Sequence, residues 1–260
     1  MEVVIAPTGE VGRLGADAVT QLLAGRPAAV LGLATGSSPL STYAELIRRH
    51  RAEGLSFAQV TAFTLDEYVG LAADHPQRYR NVIATEFTDH VDLDPAAVHG
   101  PDGLAEDLVA ACAAYEAALT AAGGVDLQIL GIGADGHIAF NEPGSSLASR
   151  TRIKTLTPQT RIDNARFFGG DVEAVPVHCL TQGIGTIMAA RHLVLLATGR
   201  GKAEAIHQLV EGPVSAMWPA SVLQFHPHVS VIVDEAAASR LQLGAYYRDT
   251  WANKPVWQGF

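Results

Sequence analysis

The chain predicts a doubly wound α/β fold of Rossmann-like type, a mainly parallel sheet wrapped in helices. Three observations predict it. Short apolar or β-branched runs recur along the whole chain: VVIA, AVLGLAT, VTAFTL, VDLQILGIG, HLVLLAT and HVSVIVDE. Between them lie segments with apolar residues at helical spacing, as parallel strands joined by crossover helices require. Several runs are apolar at consecutive positions, which suits strands covered on both faces.

The elements follow in order. Val3 to Ala6 is a short strand. Val11, Leu14, Ala18, Val19 and Leu22 recur at helical spacing, so Glu10 to Leu23 is a helix. Residues 28–35 form the next strand. Thr35 and Gly36 then turn the chain, Ser37 or Ser38 can N-cap a helix, and Pro39 suits its first turn. Free N–H groups at such a helix start can hold an anion. VTAFTL is a strand ending near Leu65. Asp66 and Glu67 follow at its carboxyl end, unless Asp66 caps a helix. Residues 75–87 read as a helix opening at Pro76, and 104–124 as a long alanine-rich helix closed by a Gly pair. Residues 145–171 are polar, basic and poorly periodic, and suggest strands and loops with a short helix outside the main sheet. HCLTQGIGTIMAARHLVLLATGRGKAEAIHQLVEG reads as helix, strand (192–198), helix. A last strand at 228–235 precedes an amphipathic helix to about Tyr247 and an irregular, docked tail.

At 260 residues, with no internal repeat, low-complexity segment or linker, one domain over 1–260 is expected, with a lid-like insertion around 145–180. A net charge of -9 and no basic run argue against a nucleic-acid surface. No stretch is long and apolar enough to cross a membrane, and the N-terminus lacks a basic and an apolar signal region, so a cytoplasmic protein is expected. Cys112 and Cys179 have no metal or redox spacing and read as reduced core thiols.

The chemistry concentrates in GIGADGHIAFNEP, residues 131–143, directly after an apolar strand. Glycines 131, 133 and 136 allow a sharp turn there. Asp135, His137 and Glu142 place an imidazole between two carboxylates on one loop, where it can be held in one tautomer and move protons. Lys202 falls in the first turn of a helix, unfavourably for the dipole. A bound anion would compensate it, though a surface lysine fits as well. No G-x-G-x-x-G, Walker A or G-x-S-x-G pattern is present, and the Asp/His/Glu spacing matches no zinc site. The residues alone indicate a small phosphorylated substrate and proton transfer.

The runs LGLATGSSPLSTY, FTLDEYVGL, GIGADGHIAFNEPGSSLASRTR, NARFFGG, ATGRGKA and MWPASVLQFHPHVSVIVDE together resemble the glucosamine-6-phosphate deaminases of the glucosamine/galactosamine-6-phosphate isomerase family. The likeness spans about residues 3 to 243, and GHIAFNEP is its most specific part. The related 6-phosphogluconolactonases share a D-G-H turn but are not expected to continue as F-N-E-P. The resemblance implies conversion of glucosamine 6-phosphate and water to fructose 6-phosphate and ammonia, with no metal or organic cofactor. It implies Asp66 as the base moving a proton from C2 to C1. It implies His137 as the ring-opening group, with Asp135 and Glu142 holding the imidazole. The phosphate would lie on Gly36, Ser37 and Ser38, with Arg166 and Lys202 adding charge. The expected turn reads T-G-G-T-P or T-G-S-T-P, where this chain has TGSSP; Ser38 keeps the hydroxyl. Some members are hexamers activated by N-acetylglucosamine 6-phosphate at a subunit interface, and Ser145, Arg152, Lys154 and Thr155 match that segment. A homo-oligomer is therefore an open expectation, and the tail does not clearly match.

Overall fold

The computed structural model describes all residues, 1–260. Ten strands and eight α-helices follow one another along the chain: β1 (Glu2–Ala6), α1 (Thr8–Gly25), β2 (Val30–Leu33), α2 (Leu40–Glu53), β3 (Thr61–Thr64), β4 (Asp66–Tyr68), α3 (Tyr79–Glu86), β5 (Val98–His99) and α4 (Leu108–Ala121). They continue as β6 (Leu127–Leu130), β7 (Arg152–Thr155), α5 (Pro158–Asn164), β8 (His178–Thr181), α6 (Ile184–Ile187), β9 (His192–Ala197), α7 (Ala203–Val210), β10 (Val229–Asp234) and α8 (Gly244–Ala252).

Seven strands form one sheet in the order β1-β10-β9-β6-β2-β3-β5, every pair parallel. Strands β2, β6, β9 and β10 are buried at every position, which explains their largely apolar sequences. The chain steps outward from β2 to β3 and β5. It then returns through α4 to place β6 on the other side of β2. Strand order therefore reverses between β2 and β6, where α/β sheets open a crevice at their carboxyl ends.

A second sheet, β4-β8-β7, is antiparallel. β4 begins one residue after Leu65, so the chain leaves β3 and enters the small sheet almost at once. The two cores differ in size: 54 buried apolar residues in the main cluster, six in the cluster of Tyr68, Phe140, Leu156, Ala165, Val175 and Cys179 under the small sheet.

Several local expectations are corrected. Neither Ser37 nor Ser38 caps α2: Pro39 is its N-cap and no side chain bonds the helix start. The helix expected from residue 75 begins at Tyr79, because Glu67 accepts the N–H groups of Tyr79 and Arg80 and fixes the start there. Helix α4 starts later than residue 104, where Asp107 accepts from the N–H groups of Val109 and Ala110. HCLT is a strand, not a helix, because it pairs with both β4 and β7. The last helix lies after Leu243 and takes in part of the tail. Beyond it Phe260 packs on Trp251, and Lys254 reaches Glu2 at 2.7 Å. Asp66 is the first residue of a strand and caps no helix. Both cysteines are free and buried. No helix is long and apolar enough to cross a membrane.

Candidate active site

Four adjacent strands, β9-β6-β2-β3, each deliver a candidate group at the same edge of the sheet. Lys202 follows β9, the 131–143 loop follows β6, the turn at 35–38 follows β2, and Asp66 follows β3. Parallel pairing puts all four carboxyl ends together, and the middle two flank the reversal of strand order.

The loop after β6 is shaped around His137. A side chain on Gly133 would overlap the imidazole, whose Cε1 stands 2.2 Å from the position a Cβ would take, so only glycine lets the ring lie on that backbone. Gly136 (φ +81°) is pressed by Trp218 and bonded through its carbonyl to the N–H of Ala220. Ala139, at φ +50°, is the chain's one non-glycine residue in the left-handed region. Such a conformation costs free energy and persists where surrounding structure fixes it. Asp135 Oδ1 lies 2.7 Å from His137 Nδ1, although the ring N–H is not in line for a straight hydrogen bond. Burial pushes the Asp135 carboxyl up, but bonding and charge from His137 outweigh it and hold the group below its usual range.

Asp66 and Glu67 are neighbours in opposite circumstances. Glu67 accepts the backbone N–H groups of Tyr68, Tyr79 and Arg80 and anchors α3. Asp66 is 6% exposed, and burial followed by the charge of Glu67 raises its pKa well above the usual range, with no hydrogen bond to offset either. A buried carboxyl left without donors is costly for the fold and suited to taking up a proton. Its strand position faces Thr181 on β8. The Thr181 hydroxyl accepts the N–H of Phe140, and Asn141 Nδ2 donates to the carbonyl of Gln182. The histidine loop is thereby tied to the strand that pairs with Asp66.

At the other side, Gly36 takes φ +89° in the turn after β2. The Ser38 Cβ and Oγ lie 3.5 Å from where a side chain on Gly131 would begin, so turn and loop touch. With no side-chain cap, the first N–H groups of the fourteen-residue α2 stay free. Lys202 is half-buried. Burial, then the charge of Arg166, lowers its pKa, while Asp135 and Asp163 act the other way. Arg166 is exposed, on the 3-10 turn after α5, and stacks on Phe167 at 4.7 Å. Lys202 and Arg166 are close enough to depress the Lys202 pKa, and paired cations of this kind favour an anion.

Glu142, the other expected partner of the imidazole, is engaged at α5 and forms no ion pair with His137. Its Oε1 accepts from the Thr157 N–H (3.1 Å), the Thr157 hydroxyl (3.0 Å) and the Thr160 hydroxyl (2.5 Å), all at the start of α5. Of the two expected partners, only Asp135 stands at His137. The sequence reading passed over Thr157 and Thr160, although Thr157-Pro158 is a visible helix-start signature. It also passed over Thr181, which no local pattern marks. Among the effector-segment residues, Ser145 is buried, Arg152 and Lys154 share the half-buried face of β7, and Thr155 is exposed. Clefts of about 390 and 290 Å³ lie beside α1 and the C-terminal residues and hold none of these groups.

Fold and site together define a doubly wound α/β protein whose carboxyl sheet edge carries an Asp–His couple, a buried carboxyl and a helix start without a side-chain cap. The comparisons are more particular. The sequence model of the family described as glucosamine-6-phosphate isomerases/6-phosphogluconolactonase matches residues 8–232, and the chain belongs to that family. It is 71% identical to a glucosamine-6-phosphate deaminase of Mycolicibacterium smegmatis and 72% identical to one of Beutenbergia cavernae, each over 100% of both chains. Among solved structures, a monomeric glucosamine-6-phosphate deaminase matches with TM-score 0.90 at 44% identity, covering 92% of this chain and 100% of that one. A 6-phosphogluconolactonase from Trypanosoma cruzi, at 20% identity and TM-score 0.75, shares the fold.

Proposed function

We propose that this protein is a glucosamine-6-phosphate deaminase, converting glucosamine 6-phosphate and water to fructose 6-phosphate and ammonia. The observation that carries the mechanism is Asp66, a buried carboxyl with no donor of its own, at the sheet edge that also bears the Asp135–His137 couple. His137 opens the pyranose, taking the O1 proton and returning one to O5. Asp66 removes the C2 proton while O1 takes a proton from the neighbouring C2 ammonium and the double bond moves to C1–C2. The same carboxyl then delivers the proton to C1, leaving an imine at C2. Water adds to that imine and ammonia departs, so the balance needs no cofactor.

The raised pKa of Asp66 fits this chemistry. A base must be ionised to act, and the substrate's own ammonium at C2 would draw the carboxyl back to its charged form. Asp135 orients the imidazole, as carboxylates do for histidine in other proton-transfer sites. The phosphate rests on Gly36, Ser37 and Ser38, with Lys202 and Arg166 supplying charge-assisted bonds. Residues 145–180 act as a lid, held shut by Glu142 on α5 and by Asn164 Nδ2 on the Tyr68 hydroxyl at 3.0 Å.

Every group in this reading comes from one protomer, so turnover in the cytoplasm requires no second subunit. A homo-oligomer would bring Ser145, Arg152, Lys154 and Thr155 to an effector site. The test is ammonia release from glucosamine 6-phosphate by the purified protein, with and without N-acetylglucosamine 6-phosphate. Release above blank is expected, and stimulation by the acetylated sugar would reveal the effector site. No ammonia under either condition overturns the reading.

A further inference from the structure

Two buried tyrosines repeat one arrangement at adjacent strand ends. Tyr43, on α2, is fully buried and stacks on Phe87 at 4.8 Å. Its hydroxyl donates to the Ala34 carbonyl at 2.8 Å and accepts from the Ala34 N–H at 3.1 Å. Ala34 is the first residue beyond β2, and the 35–38 turn starts after it. Tyr115, on α4, is 4% exposed and meets Phe63 edge-on. Its hydroxyl donates to the Thr64 carbonyl at 2.6 Å and accepts from Gln182 Nε2 at 2.7 Å. Thr64 is the last residue of β3. The Gln182 N–H bonds the next carbonyl, that of Leu65, at 2.8 Å. Both carbonyls ahead of Asp66 are therefore held. Leu33 and Thr64 are register partners, so the two anchors grip neighbouring strands at the same level.

The physical need is the same in both places. Where a strand leaves a sheet its peptide groups lose their ladder partners, and buried ones must find others. A phenol on a packed helix supplies that partner at a fixed point, because ring packing allows its oxygen little travel. Burial pushes both hydroxyls far up from their ordinary pKa, so they stay protonated donors throughout the working range.

We propose that Tyr43 and Tyr115 are separate positioning residues for the two halves of the site: Tyr43 sets the anion-binding turn and Tyr115, with Gln182, sets Asp66. This rests on the deaminase reading, and it assigns to each hydroxyl a different kinetic consequence. Removing the Tyr43 hydroxyl loosens phosphate binding, while removing the Tyr115 hydroxyl misplaces the base.

The test is steady-state kinetics of Tyr43→Phe and Tyr115→Phe, with inorganic phosphate as a competing anion. Tyr43→Phe is expected to raise KM and the inhibition constant for phosphate about tenfold, with kcat within about twofold, the scale of one lost positioning bond. Tyr115→Phe is expected to lower kcat about tenfold with KM and phosphate inhibition nearly unchanged. Gln182→Met, which removes the donor to the Tyr115 hydroxyl but keeps its bond to the Thr64 carbonyl, should move kcat in the same direction by less. Circular dichroism of each variant confirms that it is folded at the assay temperature. If both tyrosine variants shift the same parameter, or neither shifts any, the division of labour is overturned. Failure of the wild-type protein itself to release ammonia would instead overturn the deaminase reading, so the two failures are distinguishable.

Discussion

The large and small sheets solve different problems. The parallel sheet buries its strands on both faces within a cluster of 54 apolar residues. It is a rigid frame that fixes the directions in which the chain exits its strands. The antiparallel sheet rests on six buried apolar residues, and its outer strand β7 alternates half-buried and exposed positions. Polar bonds do much of the work there: Glu142 holds α5, and Glu116 takes the Thr151 N–H and the hydroxyls of Thr151 and Thr186 at the base of the segment. Apolar area gives non-directional stability, whereas a few directional bonds can be made and broken as a unit. Asp66 stands at the joint, one residue into the small sheet and two beyond the end of β3.

Three measurements sharpen or break that contrast. The largest effect is expected from Asp66→Asn, which keeps the shape and removes the base: kcat should fall on the order of 10²–10⁴-fold. Retention of most activity would remove Asp66 from the chemistry. Glu142→Ala comes next. It deletes three bonds at the start of α5 and should lower stability by about 2–3 kcal/mol, with faster amide exchange across 152–181 and none across β9. Lost activity with unchanged exchange would mean that Glu142 works at His137 after all.

The smallest effect concerns pH and has an unusual sign. The ordinary pKa of Asp66 is 3.8, and the folded state raises it. Below that value both states carry the proton. As pH rises, the unfolded chain ionises first, so Asp66 withdraws stability over the interval up to its folded pKa. Asn cannot ionise. The Asp66→Asn variant should therefore melt above the wild type near neutral pH, the gap narrowing as pH falls toward about 4. A variant that melts lower at pH 7 would show that the carboxylate is welcomed by the fold.

Much of the frame was legible from residues alone. Runs such as HLVLLAT and HVSVIVDE are apolar throughout because no face of β9 or β10 meets water. The residues around the reversal of strand order, Gly36 to Ser38 and Asp135 to His137, were visible as turn glycines beside polar groups. The small sheet was less legible. β4 and β8 are three and four residues long, below the length at which periodicity speaks, and HCLT is indistinguishable from the start of a helix until its partners are known. Glu142 shows the same limit, since five residues of spacing from His137 say nothing about which neighbour a carboxylate will meet.

The residues alone set the class of fold, the succession of the long strands β1, β2, β3, β6, β9 and β10, and which loop carries the imidazole, because burial and turn chemistry are written into consecutive residues. Only the tertiary structure decided that Asp66 lacks a donor while Glu67 has three, that Glu142 serves α5, and that Tyr43 and Tyr115 grip neighbouring strand ends. Those facts depend on pairings between residues far apart in the chain, and a hydrogen bond is set by where its partner arrives in space.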